Sequence, residues 1–143
     1  MDKAFLRDVD LFSSLGDSEL QEIADLSNLR QIPAGSAVVR EGDTGDDLYI
    51  IKSGTLCVSA VQECGRDAKV GGLEASDFFG EMALLTGANR SATVMALVAT
   101  EIIEIPGKLM REVLYWHPEV AAKLEQAMNS RRQDATSPIY ENA

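Results

Sequence analysis

Glu81 and Arg90 are the two residues whose types and setting suggest chemistry. They share one short run, Gly80-Glu81-Met82-Ala83-Leu84-Leu85-Thr86-Gly87-Ala88-Asn89-Arg90-Ser91. Gly80 lets a backbone come close to a ligand. Met82 to Leu85 spell a single apolar turn of helix, and amides at the start of such a turn are suited to anions. Arg90 adds a planar fork of donors that can take two phosphate oxygens at once. Glu81, acceptor-only when ionised, matches a hydroxyl better than a phosphate. The plain alternatives are a surface arginine and a carboxylate that caps the turn. Arg90 argues against the first, because it closes a glycine-containing loop and opens a strand. One carboxylate for a sugar hydroxyl and one arginine for a phosphate describe a nucleotide site.

The run Phe79-Gly80-Glu81-Met82-Ala83-Leu84-Leu85, four residues, then Arg90-Ser91-Ala92-Thr93-Val94 closely resembles the phosphate-binding cassette of cyclic nucleotide-binding domains. That family includes the bacterial catabolite activator protein, the regulatory subunits of cAMP-dependent kinase and cyclic-nucleotide-gated channels. The resemblance extends over roughly Leu11 to Arg132. It implies that Glu81 takes the ribose 2′-hydroxyl and Arg90 the exocyclic phosphate oxygens of cAMP or cGMP. Further contacts would come from the amides of Gly80, Met82, Ala83 and Ser91. Val58, Leu73 and Val94 either wall the base site or are ordinary core. The ligand is the cyclic nucleotide itself, with no cofactor beside it. One departure is that Ala75-Ser76 precede Asp77-Phe78-Phe79, where the family commonly has a glycine.

The totals limit the other possibilities. At 143 residues the chain is one domain with room for a core. Thirteen Lys and Arg against 23 Asp and Glu give 13 − 23 = −10. So acidic a chain repels nucleic acid and anionic membrane, whose binding is led by phosphate neutralisation. Two cysteines, Cys57 and Cys64, make no disulfide framework and are read as thiols in a reducing compartment. No apolar run is long enough to span a bilayer. The expectation is a cytoplasmic chain, or the cytoplasmic part of a larger membrane-embedded protein. A single histidine, His117, beside Pro118, supplies neither a hydrolase triad nor a multi-histidine metal site, so an enzyme is not expected.

The elements that must position these residues follow the hydrophobic pattern. Residues 1–28 read as a helical segment, with Phe5, Leu6, Val9, Leu11, Phe12 and Leu15 on an amphipathic stretch. A capping box of Ser18 and Gln21 starts the next helix. Residues 29–106 read as short strands with glycine turns, among them Gly42 to Asp47 and a two-residue hairpin at Ser53-Gly54. Many short strands predict a mainly β fold, a jelly-roll-like barrel closed on itself, flanked by helices. The cassette, 79–94, falls between two strands. Residues 107–132 read as C-terminal helices: Leu109, Val113 and Trp116 share one face, and Val120 and Leu124 share another. Tyr115 and Trp116 are expected to cover the junction of helices and barrel, and Arg131 and Arg132 to offset the last helix's negative end. Residues 133–143 read as a disordered tail. The function expected is a sensor that turns nucleotide binding into movement of the C-terminal helices, as part of a channel, a transporter or another effector, or as a homo-oligomer. The competing reading is a degenerate domain that serves as a protein-interaction module without ligand.

Overall fold

The computed structural model describes residues 3–59, 69–90 and 92–134, with side chains described to Val58, from Gly72 and as far as Asn129. It opens with α1 (Lys3–Arg7), a 3-10 turn (Asp10–Phe12) and α2 (Asp17–Leu26). Eight strands follow: β1 (Asn28–Ile32), β2 (Ala37–Val39), β3 (Leu48–Ser53), β4 (Thr55–Ser59), β5 (Lys69–Glu74), β6 (Phe78–Phe79), β7 (Thr93–Ala96) and β8 (Thr100–Ile105). The short α3 (Glu81–Thr86) interrupts them after β6, and α4 (Gly107–Trp116) and α5 (Pro118–Asp134) complete the described chain.

The strands form two antiparallel sheets, one ordered β1-β8-β3-β6 and the other β2-β7-β4-β5. This is the expected jelly roll, mainly β with flanking helices. Among the described residues, however, hydrogen bonding does not close the strands into one ring. The sheets meet through side chains instead: Ile51 and Ile102 of the first lie in one buried cluster with Leu56, Val58 and Val94 of the second.

Local sequence explains the elements that were expected and those that were not. β3 is apolar on successive residues and buried on both faces, since helices cover its outer side. β1, with only Ile32 buried, carries too little alternation to be read as a strand. β6 is two residues long and is defined by its pairing with Tyr49 and Ile50. The cap of α2 falls at Gly16 rather than Ser18. Its N–H donates to Glu19 Oε1 at 2.9 Å, so the side chain that returns to the cap is the Glu19 carboxylate and not the Gln21 amide.

Ser53-Gly54 is no hairpin, because β3 and β4 belong to different sheets and the chain crosses between them there. Gly54 is held at φ +105, and a Cβ on it would come within 2.7 Å of Thr100 Cα, so only glycine suits this crossing. Cys57, fully buried on β4, is disulfide-bonded rather than a free thiol; Cys64 lies outside the described residues. Tyr115 and Trp116 cover no junction, being 78% and 73% exposed. The buried face of α4 is Leu109, Met110 and Val113. Val120 and Leu124 of α5 are buried as expected, and that helix runs to Asp134, two residues beyond its expected end. Residues 135–143 and the side chains of Arg131 and Arg132 are outside the description. No helix among the described residues is long and apolar enough to cross a membrane.

Candidate functional site

α3 begins at Gly80, which adopts φ +98, and ends at Gly87 with φ +76. Leu84 N–H makes the first helical bond, to Gly80 O at 3.2 Å, so the amides of Glu81, Met82 and Ala83 precede the helical ladder. Glu81, Met82, Ala83 and Leu84 are all buried, and Glu81 is 1% exposed. A carboxylate this deep at the head of a short helix lies near the positive end of the peptide dipoles.

Arg90 returns to the same place from the other end of the loop. It is 2% exposed. Its Nη2 donates to Asp47 O at 3.0 Å and its Nη1 to Gly80 O at 3.4 Å. The guanidinium carbon lies 5.6 Å from the centre of the Tyr49 ring, within cation–π range. Tyr49 in turn stacks on Phe79, with centroids 4.9 Å apart and planes 18° from parallel. Burial raises the Tyr49 hydroxyl above its ordinary pKa of 10.0, and the charge of Arg90 offsets part of that rise. Among the described residues no carboxylate forms an ion pair with Arg90. The guanidinium is therefore an interior cation balanced by carbonyl dipoles and an aromatic face, unlike an ordinary surface arginine.

The close fit depends on Gly80. A Cβ there would sit 2.8 Å from Asp47 O and 2.9 Å from Arg90 Nη1, and the positive φ disfavours any L side chain independently. The backbone of Arg90 is also tied to the loop after β2: its N–H donates to Asp43 O at 2.9 Å, and its carbonyl accepts from Gly42 N–H at 2.6 Å. By sequence alone, Gly42 to Asp47 is simply a turn. In the folded chain this loop holds Arg90 at both backbone and side chain, and Asp47 and Tyr49 join the site. No local pattern marks them, because Asp47 contributes through its main-chain carbonyl, which every residue type has.

Gly80, Glu81, Met82, Ala83 and Arg90 thus converge. Ser91 lies outside the described residues. Val58, Leu73 and Val94 are 0%, 6% and 0% exposed and belong to the cluster between the sheets, together with Tyr49 and Phe79. Both readings of these three residues stay compatible with that position, since the cluster reaches the arginine through Tyr49.

The class defined so far is structural: a two-sheet jelly roll with a buried arginine cradled beside a short inserted helix. Residues 29–115 match the family model described as the cyclic nucleotide-binding domain. A cAMP-dependent protein kinase regulatory subunit of Mycosarcoma maydis is 35% identical over 141 residues, 97% of this chain and 27% of that protein. A cyclic nucleotide-gated potassium channel of Rhizobium etli is 32% identical over 124 residues, 87% of this chain and 33% of the channel. The Thermus thermophilus catabolite activator protein superposes with a TM-score of 0.74 at 27% identity, covering 87% of this chain and 58% of the other. The chain belongs to the cyclic nucleotide-binding domain family. It spans about a quarter to a third of the length of these two curated relatives.

Proposed function

We propose that the chain binds a cyclic nucleotide, cAMP or cGMP, at the α3 cassette. Arg90 takes the exocyclic phosphate oxygens and Glu81 the ribose 2′-hydroxyl. The amides of Gly80, Met82, Ala83 and Ser91 surround the phosphate, and Val58, Leu73 and Val94 border the base. The observation that carries this reading is the buried Arg90 guanidinium with no carboxylate paired to it among the described residues. Burying a charge is costly unless it is compensated, so an anionic ligand oxygen gains more here than at the surface.

Coupling to the C-terminal helices is supported by one dipeptide. Asp47 accepts from Arg90 through its carbonyl, while its Oδ1 accepts from Gly107 N–H at 3.1 Å at the start of α4. Asp46 forms an ion pair with Arg111 of the same helix. A phosphate that draws Arg90 from the Asp47 carbonyl acts on the loop that anchors α4. The available energy is the ligand's differential affinity for two states, typically about 1–3 kcal/mol. The relatives, a kinase regulatory subunit and a channel, support a role in controlling an effector, carried by the same polypeptide or by a partner subunit.

Titration calorimetry with both nucleotides tests the site. Binding at micromolar affinity or tighter is expected, and Arg90→Ala should weaken it by roughly 2–5 kcal/mol, the cost of leaving a buried phosphate underpaired. Glu81→Ala should cost more for cAMP than for its 2′-deoxy analogue; equal losses would remove the ribose assignment. Absence of binding by either nucleotide would leave an interaction module as the reading.

A further inference from the structure

Trp116 is the chain's single tryptophan, and with Tyr115 it forms an edge-to-face pair, centroids 5.0 Å apart, that stands in solvent. Beside it, α2 and the end of α4 leave a cavity of about 270 Å³. Its floor is Ile23 and Val113, both buried, and its walls carry Glu19, Glu22, Glu112, Trp116 and His117, the last lying 3.4 Å from Glu119 Oε1 through its Nδ1. Glu112 and Trp116 are four residues apart and so share one face of α4. Glu19 is held in place: its Oε1 accepts from Gly16 N–H at 2.9 Å and its Oε2 from Ser18 Oγ at 2.7 Å.

An exposed tryptophan at the mouth of a cavity, with a tyrosine edge against it, is the kind of side chain most often found to anchor protein interfaces. Three carboxylates lining the same cavity as Trp116, against one histidine, select the sign of what binds. A cation over an indole face gains from the ring quadrupole as well as from the carboxylates. A second copy of this chain is disfavoured as occupant, because each copy carries a net charge of −10. None of these residues belongs to the nucleotide cassette.

We propose that this groove between α2 and α4 docks a basic segment of a partner polypeptide, an arginine or lysine side chain seated against Trp116 between the glutamates while an adjoining apolar residue covers Ile23 and Val113. A dye-labelled helical peptide of about 15 residues, arginines on one face and leucines on the other, is the probe. Fluorescence anisotropy should show saturable binding that weakens about tenfold or more as salt rises from about 0.05 to 0.3 M. Trp116 emission should shift to the blue as the peptide excludes water. Trp116→Ala, and separately Glu22→Gln with Glu112→Gln, should each weaken binding about tenfold, the loss of roughly one good interface contact. All are surface changes, and nucleotide titrations of these variants should match the parent chain, so the two proposals fail separately. Absence of peptide binding would overturn the docking site, as would affinity unchanged in both variants or equal binding of a peptide with glutamate in place of arginine. Self-association abolished by Trp116→Ala in sedimentation would overturn it in favour of a homotypic contact.

Discussion

Strand β3 serves two cores that differ in kind. Leu48 and Ile50 face the helices, where Leu6, Phe12, Leu20, Met110, Val120 and Leu124 close around them. Tyr49 and Ile51, their alternating neighbours, face the space between the sheets with Phe79, Val58 and Val94. The first cluster is apolar throughout. The second ends, at Tyr49, against a buried arginine and the short helix that carries a buried glutamate. Leu84 of α3 sits in the helical cluster, while Gly80, the cap residue before that helix, packs on Arg90 beside the second. One cluster is therefore built to hold helices and the other to hold polar groups at its edge. The boundary between them is a single strand of alternating side chains.

Adjacent truncations on β3 give the largest expected effect. Ile50→Ala and Ile51→Ala each remove a fully buried side chain and should cost about 2–5 kcal/mol in urea denaturation. They should differ in consequence. Ile50→Ala should speed hydrogen exchange in α4 and α5 with nucleotide affinity retained, whereas Ile51→Ala should lower that affinity. If both variants lose nucleotide binding equally, the two clusters do not act separately.

Gly80→Ala tests the edge of the second cluster. The added methyl meets Asp47 O and Arg90 Nη1 in a backbone conformation that costs an L residue about 1–2 kcal/mol, before any cost of moving Arg90. Loss of stability together with nucleotide affinity is expected. Retained affinity would show that Arg90 can move away at little cost.

Ser76 offers a smaller effect of opposite sign. It holds φ +75 in the turn before β6, the only non-glycine residue with positive φ among those described. This is where the family resemblance leads one to expect glycine. Ser76→Gly should therefore raise stability by roughly 0.5–1 kcal/mol, relieving the left-handed strain at the cost of a more flexible unfolded chain. Thermal unfolding of the two chains side by side would show the difference.

The smallest effect concerns the outer end of the helical cluster. The Asp17 carboxyl lies below its ordinary 3.8 because Arg7 hydrogen-bonds to it and attracts it, and Glu19 lies below 4.5 through Ser18 and the Gly16 amide. Each binds fewer protons folded than unfolded. Its contribution is complete above the unfolded value and disappears as pH falls through the folded one, so the first turn of α2 should loosen below about pH 4. Amide exchange across Asp17 to Leu20 would report it, and Asp17→Asn with Glu19→Gln should flatten the response. The cassette amides should not follow that change.

Much of this was legible in the residues themselves. The order glycine, carboxylate, apolar turn, arginine is local, so its spacing carried the cassette. That residues 29–106 form short strands was visible because apolar runs between glycines have few other uses. Helices α4 and α5 followed from the spacing of Leu109 and Val113 and of Val120 and Leu124.

What the chain alone could not contain was decided by packing between distant segments. The crossing at Gly54, the pairing that makes β6 a strand and the exposure of Trp116 all depend on which surfaces meet. The same holds for Asp47, whose carbonyl reaches Arg90 across 43 positions of sequence. Side-chain type and spacing are properties of the sequence, and they determined what chemistry was at hand. A main-chain oxygen aimed at a guanidinium, or an indole left in water, exists only once the sheets and helices have closed on one another.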